Sequence, residues 1–135
     1  MNCEISARMD FAPLAGDEAG IAVYMREQYH YAIGVTRKED QPVIVFRRQV
    51  GSLTVEQYSP PLADAIVDLK IEATPEWYTF SYRCGEQPWR TMGRGEMHLL
   101  SKEVAGGFTG VYTGMYNVST AGTVAYFDWF TYRGE

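Results

Sequence analysis

The sequence predicts an all-β chain, an antiparallel sandwich or barrel, on three observations. Apolar and polar side chains alternate with a period of two along most of its length, the pattern of half-buried strands. Glycines and prolines punctuate these runs at short intervals, as turns between many short strands require. One stretch alone, Gly95–Ala105 ("GEMHLLSKEVA"), has helical character, and it is too short and poorly patterned for more than a turn or two.

The strands follow in order. Glu4–Phe11 alternates through Ile5, Ala7, Met9 and Phe11. Ala19–Met25 and Tyr29–Thr36 are separated by Arg26, Glu27 and Gln28, a length that suits a hairpin. Pro42 opens the apolar run Val43–Phe46, and Ser52–Tyr58 alternates through Leu53 and Val55. Pro60-Pro61 forces a break, because neither residue can donate to a ladder. In Ile66–Ala73 one face holds Ile66, Asp68, Lys70 and Glu72, and the other Val67, Leu69, Ile71 and Ala73. Tyr78, Phe80 and Tyr82 share a face of the next strand, and Val111–Tyr116 and Thr123–Tyr132 close the chain. No repeat or linker intervenes, so residues 1–135 are expected to form a single domain.

Composition excludes several partners. The net charge of −5 disfavours nucleic acid, which selects clustered Lys and Arg. The basic pairs Arg37-Lys38 and Arg47-Arg48 are expected on a solvated sheet face. No apolar run approaches the roughly 20 residues that span a bilayer, and no membrane partner is expected. The N-terminus lacks a basic-then-apolar signal pattern, so a cytoplasmic location is expected. Cys3 and Cys84 are too few for a disulfide framework; reduced thiols are expected, with one bridge between them the alternative. His30 and His98 have no ligand-like spacing.

No catalytic motif stands out: there is no G-x-S-x-G, H-E-x-x-H or phosphate-cradling loop. Asp17, Glu18, Glu39, Asp40, Glu76 and Glu86 fall where loops or outer faces are expected. Asp128, between Phe127 and Trp129, is either a hydrogen-bonded structural carboxylate or one ligand of a structural calcium ion; no other cofactor is expected. Ten tyrosines, three tryptophans and six phenylalanines either make a Tyr-rich core or leave rings for an outer face, a concave face or an interface. Tyr24, Tyr29, Tyr31 and Trp77 are candidates for stacking on sugar faces. Gly106, Gly107 and Gly110 bracket Phe108, with Thr109 beside it; flanking glycines can lift a ring out of a turn. That ring is core, a ligand contact or a plug for another domain.

Four segments carry a family likeness in order: Gly16–Arg37, Tyr78–Gly93 ("YTFSYRCGEQPWRTMG"), Leu99–Tyr116 (with "GGFTG") and Ala125–Tyr132 ("AYFDWFTY"). Together they resemble the C-terminal concanavalin A-like sandwich of β-xylosidases in glycoside hydrolase family 43. The likeness runs from about Met9 onward. Arg83-Cys84-Gly85-Glu86 departs from the family's S-x-D-G at the hairpin. The resemblance implies a two-sheet antiparallel jelly roll and a non-catalytic accessory domain of a xylan- or arabinan-degrading enzyme. Such a domain docks on a β-propeller module that bears the catalytic carboxylates, and Phe108, with Gly107 and Thr109, matches the loop that helps close the substrate pocket. Activity of this chain alone is therefore left open. The alternative is a carbohydrate-binding module that takes xylo-oligosaccharides on its exposed rings.

The resemblance also implies strands ahead of the "DFAP" position. If the chain begins late in the sandwich, Thr123–Tyr132 has an unpaired edge. Either a homodimer forms on that edge, or Asn2–Ala7 folds back to cover it.

Overall fold

A computed structural model describes residues 3–26, 29–64, 66–74, 76–96, 112–118 and 126–134. Its ten strands are β1 (Cys3–Asp10), β2 (Glu18–Arg26), β3 (Tyr29–Lys38), β4 (Gln41–Val50), β5 (Leu53–Tyr58), β6 (Ile66–Ala73), β7 (Trp77–Cys84), β8 (Arg90–Glu96), β9 (Tyr112–Val118) and β10 (Tyr126–Gly134). They form two five-stranded sheets, β10-β1-β6-β7-β8 and β5-β4-β3-β2-β9, in which every strand pairing is antiparallel. This is the expected jelly-roll sandwich.

Alternation decides which residues fill the space between the sheets. Ile5, Ala7, Met9, Val67, Leu69, Ile71, Tyr78, Phe80 and Tyr82 come from the first sheet, and Ile21, Val23, Tyr31, Ile33, Ile44 and Phe46 from the second. Phe46 and Phe80 meet across the gap with ring centroids 4.6 Å apart. Turn chemistry sets the registers. Glu39 and Asp40 take positive φ values of 53° and 63°, the mirror-image turn that matches the twist of a two-residue hairpin. At the Pro60-Pro61 break, Ser59 accepts the Ile44 amide at 2.8 Å, and the Leu62 amide donates to the Pro42 carbonyl at 2.8 Å. The chain thus leaves the sheet with its backbone groups satisfied.

The fold-back half of the edge expectation is present, and β10 stands at the margin of its sheet. β1 lies between β10 and β6, and Cys3 to Asp10 pair with Gly134 to Tyr126. The covering segment reaches three residues beyond Ala7. Gly95 and Glu96, placed in the helix candidate by sequence, instead finish β8; the remainder of that candidate lies outside the described residues.

Asp17 lies on the loop before β2 and Glu18 on the outer face of that strand, as expected, and both are buried there. Asp17 accepts the Leu14 amide at 2.8 Å and so caps its own turn. One charge assignment needs correction. The Arg47-Arg48 pair is split by the pleat instead of lying on one solvated face. Arg47 reaches Glu18 and Glu56, each at 2.6 Å, whereas Arg48 turns to the opposite side and lines a pocket.

Candidate functional site

One end of the sandwich gathers the residues of interest. β8 ends there at Glu96, which pairs with Trp77, and β9 begins there at Tyr112, opposite Tyr24. Phe108, Gly107 and Thr109 belong to the stretch between these two stems and lie outside the described residues. The β4–β5 turn reaches the same end, since Tyr29 pairs with Val50 just before Gly51. Cys3, paired with Ala73 and Gly134, lies there too.

On the flank beside this end, between the marginal strands β5 and β8, opens a pocket of about 380 Å³. Val50, Leu53, Val55 and Trp77 give it an apolar wall, and Arg48, Arg94 and Glu96 supply polar groups. Leu53 is 71% exposed on its rim. The Arg94 guanidinium lies 4.2 Å from the Trp77 ring centroid, a cation–π contact that fixes the ring. Arg48 donates to the Arg94 carbonyl at 3.2 Å and to Gln57 Oε1 at 3.3 Å. Its Nε is buried and has no acceptor among the described residues.

The four candidate stacking rings separate. Tyr31 is 1% exposed and packs edge-on to Phe80 and Tyr78, so it is core rather than a platform. Its hydroxyl donates to the Glu96 carbonyl at 2.8 Å. Burial, reinforced by Glu96, pushes its pKa up to about 12, so it remains a donor that ties β3 to the end of β8. Tyr31 still reaches the pocket with Trp77. Tyr29 packs against the core. Tyr24, 40% exposed, stacks on His30 at 5.6 Å on the outer face of the second sheet. Sequence reasoning missed Arg48, Val50, Arg94 and Glu96 as pocket residues. The signal was available for the first two: Ile44, Phe46, Arg48 and Val50 continue one alternation.

The outer face of the second sheet carries an ionic chain. Arg47 bridges Glu18 and Glu56, and the Tyr116 hydroxyl donates to Glu18 Oε2 at 2.6 Å. The Arg47 hydrogen bond holds Glu56 below the ordinary carboxylate range despite some burial, the opposite of a general acid. Burial, with Glu18 beside it, keeps the Tyr116 phenol well above its usual pKa. The group is a cross-strand clamp. Tyr116→Phe is expected to cost about 1–2 kcal/mol by leaving Glu18 short of a donor, read as a lower urea midpoint at unchanged slope.

Among the described residues no group of three His, Cys, Asp or Glu side chains is placed to hold a metal ion; the Asp128 side chain is not among them. Cys84 is a free thiol, and burial pushes its pKa up, which disfavours a reactive thiolate.

Comparisons with known proteins agree with this architecture. Residues 1–133 match the family model of the β-xylosidase C-terminal concanavalin A-like domain. A non-reducing end α-L-arabinofuranosidase of Bacteroides ovatus is 34% identical over 137 residues, covering 98% of this chain and 26% of that protein. A solved Bacteroides ovatus structure described as GH43B of a xyloglucan PUL superposes with a TM-score of 0.85 at 32% identity, covering 98% of this chain and 27% of its own. A xylan β-1,4-xylosidase from Bacillus halodurans gives a TM-score of 0.89 at 25% identity, covering 98% and 28%. The chain spans about a quarter of the length of these relatives.

Proposed function

The chain belongs to the family of β-xylosidase C-terminal concanavalin A-like domains, and on that premise we propose that it docks on a glycoside hydrolase catalytic module and shapes that module's substrate pocket. The observation that carries the proposal is the sandwich end described above. Its stems, Glu96 and Tyr112, flank the segment that holds Phe108, and Cys3 lies at the same end. A module that precedes this domain is therefore joined at the end where Phe108 is rooted. The glycans in question are those that the relatives' names imply, with xylose or arabinose at the non-reducing end.

The test pairs this chain with the isolated catalytic module of the Bacteroides ovatus arabinofuranosidase. A stable complex with raised kcat/KM on an aryl arabinofuranoside or xyloside is expected. Phe108→Ala should keep the complex and lower kcat/KM by about tenfold, the scale of one lost apolar pocket contact. The chain alone should give no turnover; turnover abolished by replacing one of its carboxylates would refute the accessory role.

A further inference from the structure

We propose that the flank pocket between β5 and β8 binds one ring of a neutral sugar. Its volume, about 380 Å³, lies at the small end of ligand pockets. Val50, Leu53, Val55 and Trp77 offer a largely apolar wall, and Arg94 holds the Trp77 ring in place before any ligand arrives, which lowers the ordering cost of binding. The Arg48 guanidinium also lines the pocket; its two terminal nitrogens make one hydrogen bond each, to the Arg94 carbonyl and Gln57 Oε1, and so keep N–H donors for a ligand oxygen.

A sugar ring matches both halves of this description, because it presents C–H faces to the apolar wall and hydroxyl oxygens to the guanidinium. A purely apolar occupant would leave the guanidinium donors that line the pocket unused. A small anion would gain little from the apolar wall and would lie near the carboxylate of Glu96. The pocket opens on the flank, and its apolar rim is left open to solvent, with Leu53 71% and Val55 49% exposed. This inference stands on the pocket alone and is independent of docking.

The experiment is a titration of the 135-residue chain with xylotriose, followed by ¹H–¹⁵N correlation spectra. Saturable shifts of the Trp77 indole N–H and the Gly95 amide are expected, with weak, millimolar affinity. Leu53→Arg, on the exposed rim, should weaken binding by about tenfold or more while the rest of the spectrum stays in place. Trp77→Ala should do the same, its fold checked in the same way. The proposal is overturned by an absence of saturable shifts, by shifts confined to the Tyr24–His30 face, or by undiminished affinity in Leu53→Arg. A response to N-acetyl-leucinamide and not to xylotriose would also overturn it, and would reassign the pocket to an apolar side chain of a partner.

Discussion

Gly20→Ala is expected to leave the chain without a stable fold, or to cost at least about 3 kcal/mol, the upper range of overpacking. Gly20 of β2 pairs with Gly34 of β3. A Cβ on Gly20 would lie 2.9 Å from the Ile33 carbonyl carbon, and nearer still to the Ile33 oxygen and the Gly34 Cα. These are backbone atoms in the middle strand of a sheet, so no rotamer change relieves the clash. The two strands would have to part, and β3·β4 and β2·β9 pairing would be disturbed with them. The space above Gly34 is already taken: a Cβ there would lie 2.6 Å from the Ala19 carbonyl oxygen and against the Tyr116 hydroxyl. Gly114→Ala is the control, since a Cβ at that position meets nothing within 4 Å; it should stay within about 0.5 kcal/mol of the wild type. Thermal melts of the two variants by circular dichroism give the comparison, and equal melting temperatures would show the clash to be relieved by relaxation.

The second large effect belongs to Asp68. Its carboxylate is 1% exposed on the outer side of β6, held at 2.8 Å by Arg8 Nε from β1 and at 2.8 Å by Arg83 Nε from β7. Lys70 and Arg83 lie over the Trp89 ring, 4.3 and 4.4 Å from its centroid, so that ring helps to keep water from the group. Asp68→Ala strands two cations. Removal of one partner from a buried ionic group costs about 3–5 kcal/mol, but both arginine side chains are about a third exposed, at 36% and 31%, and can be rehydrated in part. A loss of about 2–3 kcal/mol is therefore expected. The pH dependence has a definite sign. Burial alone would raise the Asp68 pKa, yet the hydrogen bonds from Arg8 and Arg83 outweigh it and the pKa is lowered. The stabilisation is thus complete above the ordinary aspartate value of about 3.9 and is lost as pH falls through the depressed folded value. Urea midpoints of wild type and Asp68→Ala should differ widely at neutral pH and converge as acid protonates Asp68. A gap that persists in acid would remove the ionic explanation.

Where period-two alternation is clean, the strand was legible to the residue: Ile66–Ala73 has the same bounds in sequence and structure. β8 was not. Its sequence, Arg90 to Glu96, has no apolar alternation and carries two glycines. It is a strand because rings from the opposite sheet occupy the volume its own side chains would have filled. A Cβ on Gly93 would meet the Phe46 ring at 2.8 Å, and one on Gly95 the Tyr31 ring at 2.6 Å. Such a strand is written in the residues that face it, and local pattern cannot reveal it. The burial of Glu18 and Asp68 was hidden for a related reason. An isolated acidic residue reads as solvated until register brings arginines from neighbouring strands beside it. The flank pocket was half legible: Trp77 was singled out as an aromatic, while Arg94 and Glu96 depended on recognising β8.

The pairing of β1 with β10 joins the first strand of the sandwich to the last, Cys3 against Gly134. The hairpins β2–β3, β3–β4, β4–β5, β6–β7 and β7–β8 are local and can form as soon as their residues are available. β1 can find β6 early, but its other side stays open until the last strand has been synthesised. Contacts of such sequence separation close slowly, because the loop entropy is spent before the pairing returns it. On the ribosome the nascent domain therefore carries one interior strand with an open side until Tyr126–Gly134 has emerged. Loss of the final residues would make that exposure permanent, and turn a folding intermediate into a substrate for aggregation or proteolysis.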